Sequence, residues 1–137
     1  LPILVLLALA TSPLFKNLPT PEHPITVEIT DTHSVFVLIQ IGIVASVLAP
    51  FVEEIMFRGT LFPALAKVLK SPIWAGVVSS LIFATIHPTG IPAWPGLAAI
   101  GGMSCFLAYQ TKSLVPSMVM HATNNFGVLA FTLIFLH

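Results

Sequence analysis

Ala49-Pro50-Phe51-Val52-Glu53-Glu54-Ile55-Met56-Phe57-Arg58-Gly59 places two adjacent carboxylates and a guanidinium inside a chain that is otherwise almost continuously apolar. Each charged group at the centre of a bilayer costs roughly 2.5–3.5 kcal/mol on insertion scales, so three together predict pairing, a wet cavity and a function. On a helix Glu54 and Arg58 stand four residues and about 40° apart, which suits an ion pair. Glu53 stands about 140° from Arg58 on the same arithmetic and points elsewhere. Its partner has to come from another helix.

The surroundings of this stretch define the fold class. Of 137 residues, 56% are hydrophobic and 7% charged, with a mean hydropathy of +1.00. Soluble domains carry about 25% charged residues, so the expectation is an all-α, polytopic transmembrane helix bundle. Five basic and five acidic residues cancel, which leaves no basic surface for nucleic acid. Cys105 is the only cysteine, so neither an internal disulfide nor a cysteine metal cluster is expected, and an apolar run suits an inert buried thiol.

Outward from the glutamates, Ser34 to Ala49 is apolar with Ser34 in an N-cap position, and Pro50 either kinks the helix or starts a new one. The glutamate-bearing helix continues to about Lys70. As one straight helix, Ser34 to Lys70 would measure about 55 Å against a hydrocarbon core of about 30 Å. One bent helix and two antiparallel helices both remain open on this evidence. Upstream, Thr11 to His33 carries Pro13, Pro19, Pro21 and Pro24 and reads as an extramembrane loop with a short extended piece at Ile25 to Ile29. Leu1 to Ala10 reads as the tail of a truncated transmembrane helix, about half a span long. Residues 1–33 thus form a helix end plus loop, and 34–137 the functional core.

Downstream, helices are predicted from Pro72 to about His87, from Gly96 to Gln110, and from Leu114 to near the C-terminus, giving about four to five in all. Trp74 and Trp94 suit a membrane interface. Small residues between Gly96 and Ser104 allow close helix approach. Lys67, Lys70 and Lys112 fall in loops that an alternating topology puts on one side, which the positive-inside rule makes cytoplasmic. At about 1.5 Å per residue, Glu53 lies ~21 Å, His87 ~26 Å and His121 ~14 Å from that side, a spread that tilt and side-chain reach absorb.

Three polar sets therefore stand in apolar helices: Glu53, Glu54 and Arg58; His87 in Phe83-Ala84-Thr85-Ile86-His87; and His121 with Asn125 at i, i+4 spacing in His121-Ala122-Thr123-Asn124-Asn125. A glutamate with a histidine can take a proton from water and hand it to a leaving amine. A second histidine with an amide supplies donors for an oxyanion, where one donor is worth about 10²–10³ in rate. These parts describe peptide hydrolysis in an intramembrane pocket.

EExxxR at Glu53–Arg58, FxxxH at Phe83–His87 and HxxxN at His121–Asn125, in that order on separate helices, resemble the CPBP family from about Val44 onward. This is the CAAX protease and bacteriocin-processing group, also called ABI or type II CAAX prenyl endopeptidases. The resemblance implies an all-helical intramembrane glutamate protease without a metal or other cofactor. Glu53 and His87 would activate water, His121 and Asn125 would stabilise the oxyanion, and Glu54 and Arg58 would shape the site. It also implies membrane lipid and a peptide or protein substrate as partners, and a multi-pass location in a prokaryotic plasma or inner membrane.

Blander readings stand beside these. Glu54–Arg58 also reads as a structural ion pair, and His121, Asn124 and Asn125 as interhelical glue. Ser117 and Thr85 read as packing residues, and the phenylalanines as core or lipid-facing. Glu53, His87 and His121 would also compose a His₂Glu zinc set, although HExxH is absent. The competing functions are a non-catalytic membrane protein, such as a bacteriocin self-immunity factor or scaffold, and an ion or proton carrier.

Overall fold

The computed structural model describes residues 13–15, 17–18, 24–32 and 34–135. Leu1–Ala10, read above as a helix tail, lies outside them, as do His23, His33 and His137. The described residues are mostly helical, with no strand among them. Helix α1 spans Pro24–Asp31, which corrects the extended piece expected at Ile25 to Ile29. The alternation of Ile25, Val27 and Ile29 resembles a strand, but a lone strand without a partner leaves its backbone groups unpaired. Pro24 instead opens a helix, where its missing N–H costs nothing.

Helix α2 settles the open question about the glutamate segment, because Val35–Leu69 is one continuous helical run of 35 residues. It contains two π-helical segments, Val44–Leu48 and Ile55–Leu61. Each ends two residues before a proline, Pro50 and Pro63. A proline removes one helical hydrogen bond and crowds the carbonyl four residues back. The wider π turn takes up that misfit, so the helix passes both prolines without ending. Ser34 does occupy the N-cap, yet its side chain makes no capping bond.

Helix α3 (Pro72–Thr85) is started by Ser71, whose hydroxyl accepts the Trp74 N–H at 3.3 Å, with Pro72 in its first turn. It stops just before Pro88 and Gly90, so His87 lies in the turn beyond it. Helix α4 (Trp94–Thr111) follows a short 3₁₀ turn, and α5 spans Val115–Phe135. The α2–α3 and α4–α5 turns use the same stop, a left-handed lysine: Lys70 at φ 51° and Lys112 at φ 55°. Phe62, Pro63 and Ala66 of α2 line a cavity together with Ala108 and Tyr109 of α4 and Lys112 just beyond it. Both lysine turns therefore sit at one end of the molecule.

Two helical stretches, Val35–Leu69 and Ile91–Thr111, are long and apolar enough to cross a membrane, and Pro72–Thr85 is a shorter apolar helix. Burial is inverted relative to a water-soluble domain. Phe36, Ile73, Val68, Trp74 and Ile134 are exposed, while Glu54, Ser79, Ser104 and Ser117 are buried. In a hydrocarbon solvent apolar side chains gain nothing by turning inward, and polar ones must find partners inside. Helices α3 and α4 approach closely at Gly101 of α4, where a Cβ would sit 3.0 Å from the Cα of Ser80 in α3.

Candidate active site

Glu53 and Glu54 are the last residues of the α-helical piece between the two π segments of α2. Irregular turns of this kind re-aim side chains and occur often at functional sites. Glu54 points into the bundle with its side chain 0% exposed, and its Oε1 lies 3.0 Å from Nη1 of the equally buried Arg58. The i, i+4 ion pair expected from the spacing is present. Arg58 also donates from Nη2 to the carbonyl oxygen of Gly101 at 3.1 Å, and its guanidinium carbon lies 4.6 Å from the centre of the Phe83 ring.

Glu53 faces the other way, and its neighbours come from α5 and from the turn beyond α3. Its Oε2 is 3.6 Å from Nε2 of His121 in α5 and 4.0 Å from Nε2 of His87 beyond α3. Both separations exceed a direct hydrogen bond, and the buried Oε2 has no hydrogen-bond partner. They are separations that one bridging water spans.

The two imidazoles are held by their Nδ1 atoms. That of His87 lies 2.6 Å from the carbonyl oxygen of Phe83. The backbone explains this contact: Ile86 N–H donates to Ile82 and His87 N–H to Ala84, so the Phe83 carbonyl is left over at the helix end. Terminal carbonyls of this kind need an outside donor, and the ring supplies it. Because a carbonyl only accepts, Nδ1 carries the proton and the Nε2 lone pair faces Glu53. Nδ1 of His121 lies 2.9 Å from Oε1 of Glu54. His121 thus touches both glutamates, which i, i+4 counting within one helix does not reveal.

Asn125 lies one turn along α5 from His121. Its Nδ2 donates to the carbonyl oxygen of Ala45, in the first π segment, at 2.9 Å. One of its two N–H groups is therefore engaged and the other is available. Asn124 donates to Asn125 Oδ1 at a loose 3.4 Å.

Phe83, read from sequence only as core or lipid-facing, is the hub of the site. It is fully buried, its ring centre lying 4.5 Å from that of His87, 5.6 Å from that of His121 and 5.1 Å from that of Phe57. The FxxxH spacing was the available signal, since residues four apart share a helix face. Gly101 and Ala45 act through their carbonyls, which side-chain patterns cannot show.

Among the described residues no group of three or more His, Cys, Asp or Glu forms a metal-holding set. Two ligands of one tetrahedral zinc with bonds near 2.0–2.1 Å lie roughly 3.3–3.4 Å apart, closer than Glu53 is to either ring. A cavity of about 550 Å³ lies away from this cluster between α3 and α4, lined by Phe62, Ile73, Leu81, Phe106 and Tyr109 among others.

Fold and cluster together define the class, a helical membrane protein that encloses acid and imidazole groups among apolar helices. Residues 35–127, more than half of the chain, match the family model described as type II CAAX prenyl endopeptidase Rce1-like. No curated protein and no solved structure is similar enough to count as a match. The chain belongs to the Rce1-like family of type II CAAX prenyl endopeptidases, and with it to the membrane-embedded proteases.

Proposed function

We propose that this chain hydrolyses a peptide bond within the membrane by means of a water held between Glu53 and His87. The observation that carries the reading is the position of Glu53 Oε2, otherwise unpartnered, 4.0 Å and 3.6 Å from two imidazole Nε2 atoms. Glu53 takes one proton of the water as its oxygen attacks the scissile carbonyl carbon. The carbonyl oxygen becomes an oxyanion that His121 and the free N–H of Asn125 face as donors. Collapse breaks the C–N bond, and the proton on Glu53, steered by His87, passes to the leaving nitrogen. Proton transfer of this kind contributes about 10²–10⁴ in rate, and each oxyanion donor about 10²–10³.

The reading includes metal independence and a multi-pass location in a prokaryotic plasma or inner membrane. The substrate is a CAAX-type tail or a bacteriocin-like leader peptide. Purified protein in lipid, given matched peptides with and without a prenyl group, tests activity and substrate together. Cleavage that survives EDTA and disappears in Glu53→Gln is the expected result. Cleavage that dies with EDTA and returns with zinc would overturn the metal-free part. Wild-type activity in Glu53→Gln would overturn the mechanism.

A further inference from the structure

We infer that Glu54 is the positioning residue for His121, fixing the ring through Nδ1–H so that Nε2 alone faces the reacting centre. The inference rests on the proposed role of His121. One oxygen, Glu54 Oε1, is ion-paired with Arg58 Nη1 at 3.0 Å and hydrogen-bonded to His121 Nδ1 at 2.9 Å. Arg58 is itself tied to the Gly101 carbonyl at 3.1 Å. The contacts run from the backbone of α4, through two side chains of α2, to the ring on α5.

The chain of contacts has a chemical consequence. A carboxylate only accepts hydrogen bonds, so the proton of a neutral His121 sits on Nδ1. Nε2 then carries a lone pair and donates to an oxyanion only when the ring is an imidazolium with an N–H at each edge. Glu54 is the counter-charge for that form, the part that a buried aspartate has behind the histidine of a Ser-His-Asp triad. His87 has no such support, because its Nδ1 rests on the neutral Phe83 carbonyl. The two histidines are thereby separated in role: His87 receives through Nε2, and His121 donates through Nε2. Gly101 belongs to the device, since a Cβ there would stand 3.0 Å from the Cα and Cβ of Ser80, crowding the residue whose carbonyl holds Arg58.

Nitrogen-15 spectra of the full chain, labelled at histidine and reconstituted in lipid, read the ring directly. The expected result is a His121 Nδ1 that carries a proton in the resting protein. A bare Nδ1 with the proton on Nε2 overturns the proposal. Glu54→Gln is expected to lower kcat by about 100-fold or more with KM nearly unchanged, and to shift the His121 nitrogen signals. Glu54→Asp is expected to restore part of both. Because Glu54→Gln leaves Arg58 buried beside a neutral amide, the Glu54→Gln, Arg58→Met double variant removes both charges and should show the same loss of kcat with restored folding. A wild-type kcat in either variant, or a lost kcat with unmoved His121 signals, overturns the proposal. The resting spectra do not depend on turnover, so they separate this inference from the hydrolytic reading, which Glu53→Gln tests.

Discussion

Glu53 and Glu54 are consecutive residues of one helix, and their surroundings differ in burial and in the cation that only one of them holds. Glu54 is fully buried, and its Oε1 is paired with a cation and bonded to a ring nitrogen, both from inside the bundle, while its Oε2 makes no hydrogen bond. Glu53 is 29% exposed, and its Oε2 has no hydrogen bond and two imidazole edges just out of direct reach. A buried charge paired with a cation is a fixed part of the framework, because removing its partner strands it in a medium that cannot solvate it. An under-bonded carboxylate beside two bases is suited to exchanging a proton. Adjacent positions thus divide framework from chemistry, a division that substitutions can test.

The largest effect is expected at Glu53. Glu53→Gln should lower cleavage by about 10²–10⁴ while unfolding in detergent stays close to wild type, because little of the framework depends on it. Loss of both activity and fold would break the division, and intact activity would end the catalytic assignment. Next comes Arg58→Met, which leaves Glu54 buried without its cation. A buried pair deprived of one member loses about 3–5 kcal/mol, to be measured as a lowered denaturation midpoint. Adding Glu54→Gln to Arg58→Met should recover most of that loss.

Much of this division was legible before any coordinates, for identifiable reasons. The Glu54–Arg58 pair follows from i, i+4 spacing within one helix, and the need for an outside partner at Glu53 follows from its angle on the same wheel. The three motifs gave the residues that meet but not how they meet. That His121 touches Glu54 as well as Glu53 depends on the rotation of α5 against α2, which no local pattern records. The continuity of Val35–Leu69 was open because prolines usually interrupt helices, and the π turns that carry it past Pro50 have no composition of their own. At Ile25–Ile29 the alternation of β-branched residues was misleading, since nothing nearby pairs with a strand. The hub role of Phe83 rests largely on a backbone carbonyl and the centre of a ring, and neither is a motif.

A smaller effect sharpens the framework side alone. Gly101→Ala places a methyl 3.0 Å from the Cα of Ser80, where backbone must yield, and overpacking of this kind costs about 1–3 kcal/mol. The carbonyl of residue 101 moves with it, so Arg58, Glu54 and His121 should shift together while Glu53 and His87 stay in place. Titrating activity against substrate should show a reduced kcat with KM little changed, and thermal unfolding a lowered midpoint. A variant as active and stable as wild type would mean that the Gly101 carbonyl is not what holds Arg58.

The smallest effect is expected at Asn124, next to a proposed catalytic residue just as Glu54 is next to Glu53. Adjacency alone predicts similar importance; the contacts predict otherwise. Its one side-chain bond, to Asn125 Oδ1, is 3.4 Å long, at the loose end of the range for an N–H donor. Asn125 is held independently by its 2.9 Å bond to the Ala45 carbonyl. Asn124→Ala should therefore change stability by less than about 0.5 kcal/mol, as surface changes away from a network do, and leave kcat within about twofold. Asn125→Ala, by contrast, loses an oxyanion donor worth about 10²–10³ in rate together with the tie to α2. Measured side by side, equal losses in the two variants would show that Asn125 depends on its neighbour for orientation, and that the π-segment carbonyl of Ala45 does not suffice to hold it.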